Sequence, residues 1–108
     1  MGYDLSLQSD PSVEFRWTTD WWSKILEFAE LRGWVPKGTI APTDWSGKHP
    51  NEQWDGNYSW NGGEVVEADD AKKLAAAIRS GLSEPGEFNQ KELTAFIEFC
   101  EKGAFLVN

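Results

Sequence analysis

Residues 35–63 read VPKGTIAPTDWSGKHPNEQWDGNYSWNGG, with three prolines and five glycines. Neither helical spacing nor strand alternation runs through this stretch. Pro36, Pro42 and Pro50 each lack the backbone donor that a helix interior uses. Regular structure must therefore gather on either side of a long irregular segment. A loop of this length inside a domain carries function or contains an unrecognised element. Its end offers one candidate: Tyr58-Ser59-Trp60, Asn61-Gly62-Gly63 and Glu64-Val65-Val66 fit strand, turn and strand.

The flanks carry clear periods. Tyr3, Leu5 and Leu7 alternate with Asp4, Ser6 and Gln8, and Val13, Phe15 and Trp17 alternate with Glu14, Arg16 and Thr18. Ser9-Asp10-Pro11-Ser12 between them reads as a turn, so the two strands can form a hairpin or run straight on. A helix follows over about 20–32, capped by Thr19 or Asp20, with Trp22, Ile25, Leu26 and Ala29 on one face. Gly33 ends it and Trp34 can fold back on it. A second helix over about 68–82 carries an Ala71, Leu74, Ala75, Ile78, Leu82 stripe, with Asp69 and Asp70 in its first turn. A third has Asn89 as cap, Glu92 as capping-box partner and a Phe88–Leu93 staple, and ends at Gly103. Phe105-Leu106-Val107 reads as a last strand able to pair with the first. The expected fold is α+β, one domain over 1–108: three helices on a small, mainly antiparallel sheet, with a long Trp-rich loop.

Charge narrows the partners. Eighteen acidic against ten basic residues leave −8, the wrong sign for a nucleic-acid backbone or an anionic membrane. No apolar run approaches the ~20 residues a membrane span needs. The start, MGYDLSLQSD, lacks the basic and apolar regions of a secretory signal. A basic protein is the complementary partner. The single cysteine, Cys100, suits a reducing, cytoplasmic setting.

Chemistry-bearing residues are few. Cys100 lies on an apolar helical stripe, where it acts as a small hydrophobe. One histidine and one cysteine cannot build a His/Cys zinc site, so no metal is expected. Gly62-Gly63 lacks the lysine and hydroxyl of a phosphate loop, and no cofactor is expected. An enzyme would have to use His49 or carboxylates such as Asp44 and Asp55.

The tryptophans divide. Trp17, Trp22 and Trp34 sit where a core claims them, and Trp21 is assigned to neither set. Trp45, Trp54 and Trp60 lie in the polar loop beside Tyr58. From His49 to Ala71 the chain holds Glu52, Asp55, Glu64, Glu67, Asp69 and Asp70 and no Lys or Arg, so six of the eight excess charges fall here. Exposed aromatics beside acids have the composition of a protein-recognition surface. The expected surface is Trp45, Glu52, Trp54, Asp55, Tyr58, Trp60 and Glu64. The competing reading is that these rings pin the loop to the body.

Tyr3-Asp4-Leu5, Leu31-Arg32-Gly33-Trp34-Val35-Pro36-Lys37-Gly38-Thr39, Tyr58…Asn61-Gly62…Val66…Asp70-Ala71…Leu74-Ala75 and Phe96…Phe99-Cys100…Gly103-Ala104-Phe105 together carry a resemblance. The chain resembles a group of small bacterial and phage-type proteins with no established activity. These motifs are helix stops, turns and caps, so the resemblance implies a fold rather than a reaction. The leading functional expectation is a non-enzymatic interaction protein, inhibitor- or immunity-like, docking a basic partner. A sugar- or nucleotide-binding domain is the alternative, and an enzyme using Asp44, Asp55 or His49 is the third.

Overall fold

The alternation before residue 18 builds a hairpin. The computed structural model describes residues 2–108. β1 (Gly2–Leu7) pairs antiparallel with β2 (Glu14–Thr18), matching Tyr3 to Trp17 and Leu5 to Phe15. Asp10 holds the turn: its Oδ1 accepts the Ser12 N–H at 3.1 Å and the Ser12 hydroxyl at 2.6 Å. β2 then passes without a break into α1 (Thr19–Glu30). The cap is therefore Thr18, the last strand residue, whose Oγ1 accepts the Trp21 N–H at 3.4 Å; neither Thr19 nor Asp20 fills that role.

Gly33 closes α1 as its sequence position implies. Its φ is +99°, its N–H reaches Glu30 O at 3.1 Å, and the Trp34 N–H reaches Ala29 O at 3.0 Å. This paired closure turns the Trp34 ring back into the core.

β3 (Glu64–Val66) and β4 (Phe105–Val107) complete the sheet in the order β2-β1-β4-β3, every pair antiparallel. β4 pairs with β1 as expected, matching Leu5 to Val107. The expected hairpin of 58–60 with 64–66 does not form. β3 pairs instead with β4 on one side and meets Ile40 on the other, through N–H···O bonds of 2.9 and 3.0 Å between Ile40 and Val65. The reason lies in Glu64, whose carboxylate gathers the backbone of residues 60–62 around itself.

Among the described residues four helices form, not three. The additional one, α2 (Trp45–Lys48), is a single turn inside the irregular segment, joined by α3 (Ala68–Ser80) and α4 (Gln90–Glu101). Asn89 caps α4, its Oδ1 accepting from Lys91 and Glu92 N–H at 2.9 and 3.2 Å. Glu67 precedes α3 without capping it; its side chain pairs with Lys37 at 3.1 Å.

Odd-numbered residues of β1 and β2 face the helices, so Leu5, Leu7 and Trp17 join Trp22, Ile25, Leu74, Phe96 and Phe105 in one core. The opposite sheet face carries Ser6, Leu106 and Val65 in a row, with Ile40 at its edge. At the rim of the core, Arg32 lies 3.6 Å from the Phe28 ring centre and donates to Phe28 O and Glu84 O. Gly81 leaves room for this: a Cβ there would stand 2.0 Å from Arg32 Nε and 2.8 Å from Phe28 Cζ. Gly81→Ala is expected to cost about 1–3 kcal/mol in denaturant unfolding, the overpacking range. A gain of stability, as backbone entropy alone would give, would show that Arg32 yields freely.

Candidate functional site

The irregular segment is held by polar side chains rather than by a ladder of its own. Asp70, third residue of α3 and 1% exposed, is the hub. Its Oδ1 accepts the Trp34 indole N–H at 3.0 Å and its Oδ2 accepts the Tyr58 hydroxyl at 2.5 Å. Tyr58 Oη in turn accepts the Gly38 N–H at 2.8 Å. Burial, and then the bond to the Asp70 carboxylate, push the Tyr58 phenol above its ordinary value. The Trp22 indole donates to Tyr58 O at 2.9 Å. Thr39 joins the next layer: its hydroxyl donates to Asn57 O at 2.6 Å, and its carbonyl accepts the Trp54 indole N–H at 2.9 Å.

Glu64 is a second interior carboxylate. It is 0% exposed and accepts three backbone N–H groups, from Trp60 (2.7 Å), Asn61 (3.0 Å) and Gly62 (3.0 Å). Successive donors converging on one anion form a nest built from within the chain. Asn61, at φ +62°, and Gly63, at φ +98°, supply the left-handed turns it needs.

Outside the main core, Trp45, His49, Trp54 and Trp60 make a closed ring of four aromatics. Trp45 and His49, one helical turn apart, stack with centres 5.0 Å apart. Trp45–Trp54, Trp54–Trp60 and His49–Trp60 meet nearly perpendicular, at 5.6, 5.9 and 5.7 Å. Such edge-to-face pairs suit the ring quadrupoles. Trp60 is the open member, at 46% exposure. Gly62 lets its ring lie close, since a Cβ there would stand 2.7 Å from Trp60 Cδ1.

The expected surface is thus corrected in part. Glu64 belongs to the interior, because it carries the 60–62 turn, and Trp45 is only 8% exposed, because its cluster neighbours cover it. Tyr58 is half-buried with its hydroxyl committed. Trp54 is half-buried beneath Trp60, leaving Trp60, Glu52 and Asp55 exposed. The acidic run also thins: Glu64 and Asp70 are inside, and Glu67 and Asp69 both hold Lys37, at 3.1 Å each. The ion pair keeps the Asp69 carboxyl below its usual range. Glu52, 3.7 Å from His49 Nδ1, and Asp55, which accepts the Asn57 N–H at 3.1 Å, face no Lys or Arg among the described residues. His49 was missing from the expected surface. Its i, i+4 spacing from Trp45 was the available signal.

Beyond Gly62, the open sheet face forms a groove of about 430 Å³ floored by Ile40, Val65 and Leu106, with no charged residue in its lining. Asp44 and Asp55 do not share a proton-transfer geometry: Asp44 pairs with Lys48 at 2.9 Å, which lowers its carboxyl pKa, and Asp55 serves its own turn. Among the described residues no group of three His, Cys, Asp or Glu side chains could hold a metal, and no helix is long and apolar enough to cross a membrane.

Cys100 is fully buried, and burial pushes its thiol well above the usual range. The native protein is expected not to react with a dithiobis(nitrobenzoate) reagent on the time scale of denatured chain, which should release one thiol's worth of chromophore at once. Fast native reaction would mean that α4 opens readily.

Set beside known proteins, the chain matches no family model, no curated protein and no solved structure.

Proposed function

We propose that this chain is a non-enzymatic interaction protein that docks a basic protein partner through the face centred on Trp60, as an inhibitor or immunity-type protein would. The observation that carries this reading is the placement of Trp60. Among the described residues it is the one tryptophan of the large exposed hydrophobics, and it packs on an aromatic cluster in a stretch of 23 residues, 49–71, without a Lys or Arg. Interface hot spots favour such a ring, held by its neighbours so that little side-chain entropy is lost on binding. Glu52 and Asp55 add negative charge, and among the described residues neither has a Lys or Arg partner. The uncharged groove over Ile40, Val65 and Leu106 continues the same face past Gly62 and widens the area available for contact.

The test is co-expression with each product of the genes beside its own, followed by affinity measurement at low and high salt. A basic product should bind, lose at least tenfold in affinity in high salt, and lose binding again with Trp60→Ala. Binding that ignores both salt and Trp60→Ala, or no binding by any of them, would reject this face as the docking surface.

A further inference from the structure

Two aromatic rings of this chain carry a cation against their faces. Lys24 Nζ sits 4.7 Å from the Trp21 ring centre, and Arg32 lies 3.6 Å from that of Phe28. Each ring face is covered by a cation from its own neighbourhood. Trp60, more exposed than either, has no Lys or Arg over its ring among the described residues. The nearest basic residue before it in sequence, Lys48, is drawn to Asp44 at 2.9 Å, and the next after it is Lys72.

The surroundings of Trp60 favour a cation. His49 and Trp54 meet the ring nearly perpendicular and fix its orientation. Glu52 lies one ring away, 3.7 Å from His49, and Asp55 directly follows Trp54. Both carboxylates are exposed and without a Lys or Arg partner among the described residues. A planar guanidinium can stack on an indole while its edge donates to a carboxylate; a lysine ammonium, more strongly hydrated, does so less well. We propose that Trp60, with Glu52 and Asp55, is a receiving site for an arginine side chain of the basic partner. This rests on the docking reading above and names the group that reading leaves open.

The probe is N-acetyl-arginine methylamide, titrated into isotopically labelled protein while the tryptophan indole N–H signals are followed by NMR. The Trp60 and Trp54 signals should shift saturably. The neutral isostere, the corresponding citrulline compound, should leave them in place, and the lysine compound should bind more weakly than arginine. Glu52→Gln and Asp55→Asn should each weaken binding roughly two- to fivefold, the size of one exposed charge contact. Trp60→Leu should abolish the Trp54 response to the compound while the indole signals of the core residues Trp17, Trp22 and Trp34 stay put, showing that the fold is intact. Trp60→Phe, which keeps a ring with a weaker face, should fall between. Equal shifts with citrulline, or no shift at Trp60, would overturn the arginine site. If the partner complex still formed and still needed Trp60, the docking reading would survive that loss. If the arginine compound bound and no partner did, the docking reading alone would fail.

Discussion

Asp70→Ala is expected to lower the unfolding free energy by about 3 kcal/mol and the melting temperature by roughly 10–20 °C. The substitution strands two donors inside the protein, the Trp34 indole N–H and the Tyr58 hydroxyl, each of which now bonds the carboxylate at 3.0 and 2.5 Å. An unsatisfied buried donor costs ~1–3 kcal/mol. Asp70→Asn should cost less, about 1–2 kcal/mol, because the amide keeps one acceptor oxygen while its NH2 meets the other donor. Denaturant unfolding of both variants checks the order. An alanine variant within ~0.5 kcal/mol of the parent would mean that water replaces the carboxylate and that the hub contributes little. The same contact sets a pH dependence. The folded state holds the Tyr58 phenol above its ordinary value of about 10, through burial first and the Asp70 bond second. A raised value favours the protonated form, so this contribution is complete below pH ~10 and is lost as pH climbs past it. Tyr58→Phe should therefore flatten the alkaline fall in stability expected of the parent.

Glu64→Ala should be comparably severe, about 3 kcal/mol or more, because three backbone N–H groups lose their acceptor at once. Its signature should differ. The loss is confined to residues 60–62, so hydrogen exchange there should accelerate strongly while α1, α3 and α4 stay protected. Trp60 should lose its fixed setting, seen as a red shift of its fluorescence. Glu64→Gln retains one carbonyl oxygen for three donors and should fall between the alanine variant and the parent. An unchanged exchange pattern in the alanine variant would show that the turn at 60–62 holds without the carboxylate. On the docking reading proposed above, binding of a basic protein should fall with Glu64→Ala even though Glu64 touches no solvent.

Much of the fold was legible because its signals are local. Strand alternation in Tyr3–Leu7 and Val13–Trp17 requires only nearest neighbours to register, and β1 and β2 follow it. Gly33 and Asn89 act within one helical turn, and both close or open helices where their residue types imply. Trp17 and Trp22 were readable as core from period and Trp34 from its place after the helix stop Gly33, and all three are buried. The candidate surface was legible only in outline. Trp60, Glu52 and Asp55 are exposed, but a charge count treats Glu64 and Asp70 as surface acids too, since it assigns every carboxylate to water.

Burial of a carboxylate depends on which donors come to it, and here they come from far along the chain or from a turn the carboxylate itself organises. Asp70 meets Trp34 and Tyr58 across 36 and 12 residues. Glu64 recruits the backbone that a strand–turn–strand pattern would have placed in a hairpin, because three bonds to one buried anion outweigh a short ladder. The order of residues in this chain was enough for β1, β2 and β4, for the helix ends set by Gly33 and Asn89, and for the core faces of those strands and of α1, α3 and α4, since those follow from spacing and neighbouring backbone groups. Tertiary packing alone decided the pairing of β3 with β4, the short α2 and its buried Trp45, and which acids of residues 49–71 remain exposed. Each of those depends on groups distant in sequence supplying a hydrogen bond or a covering ring.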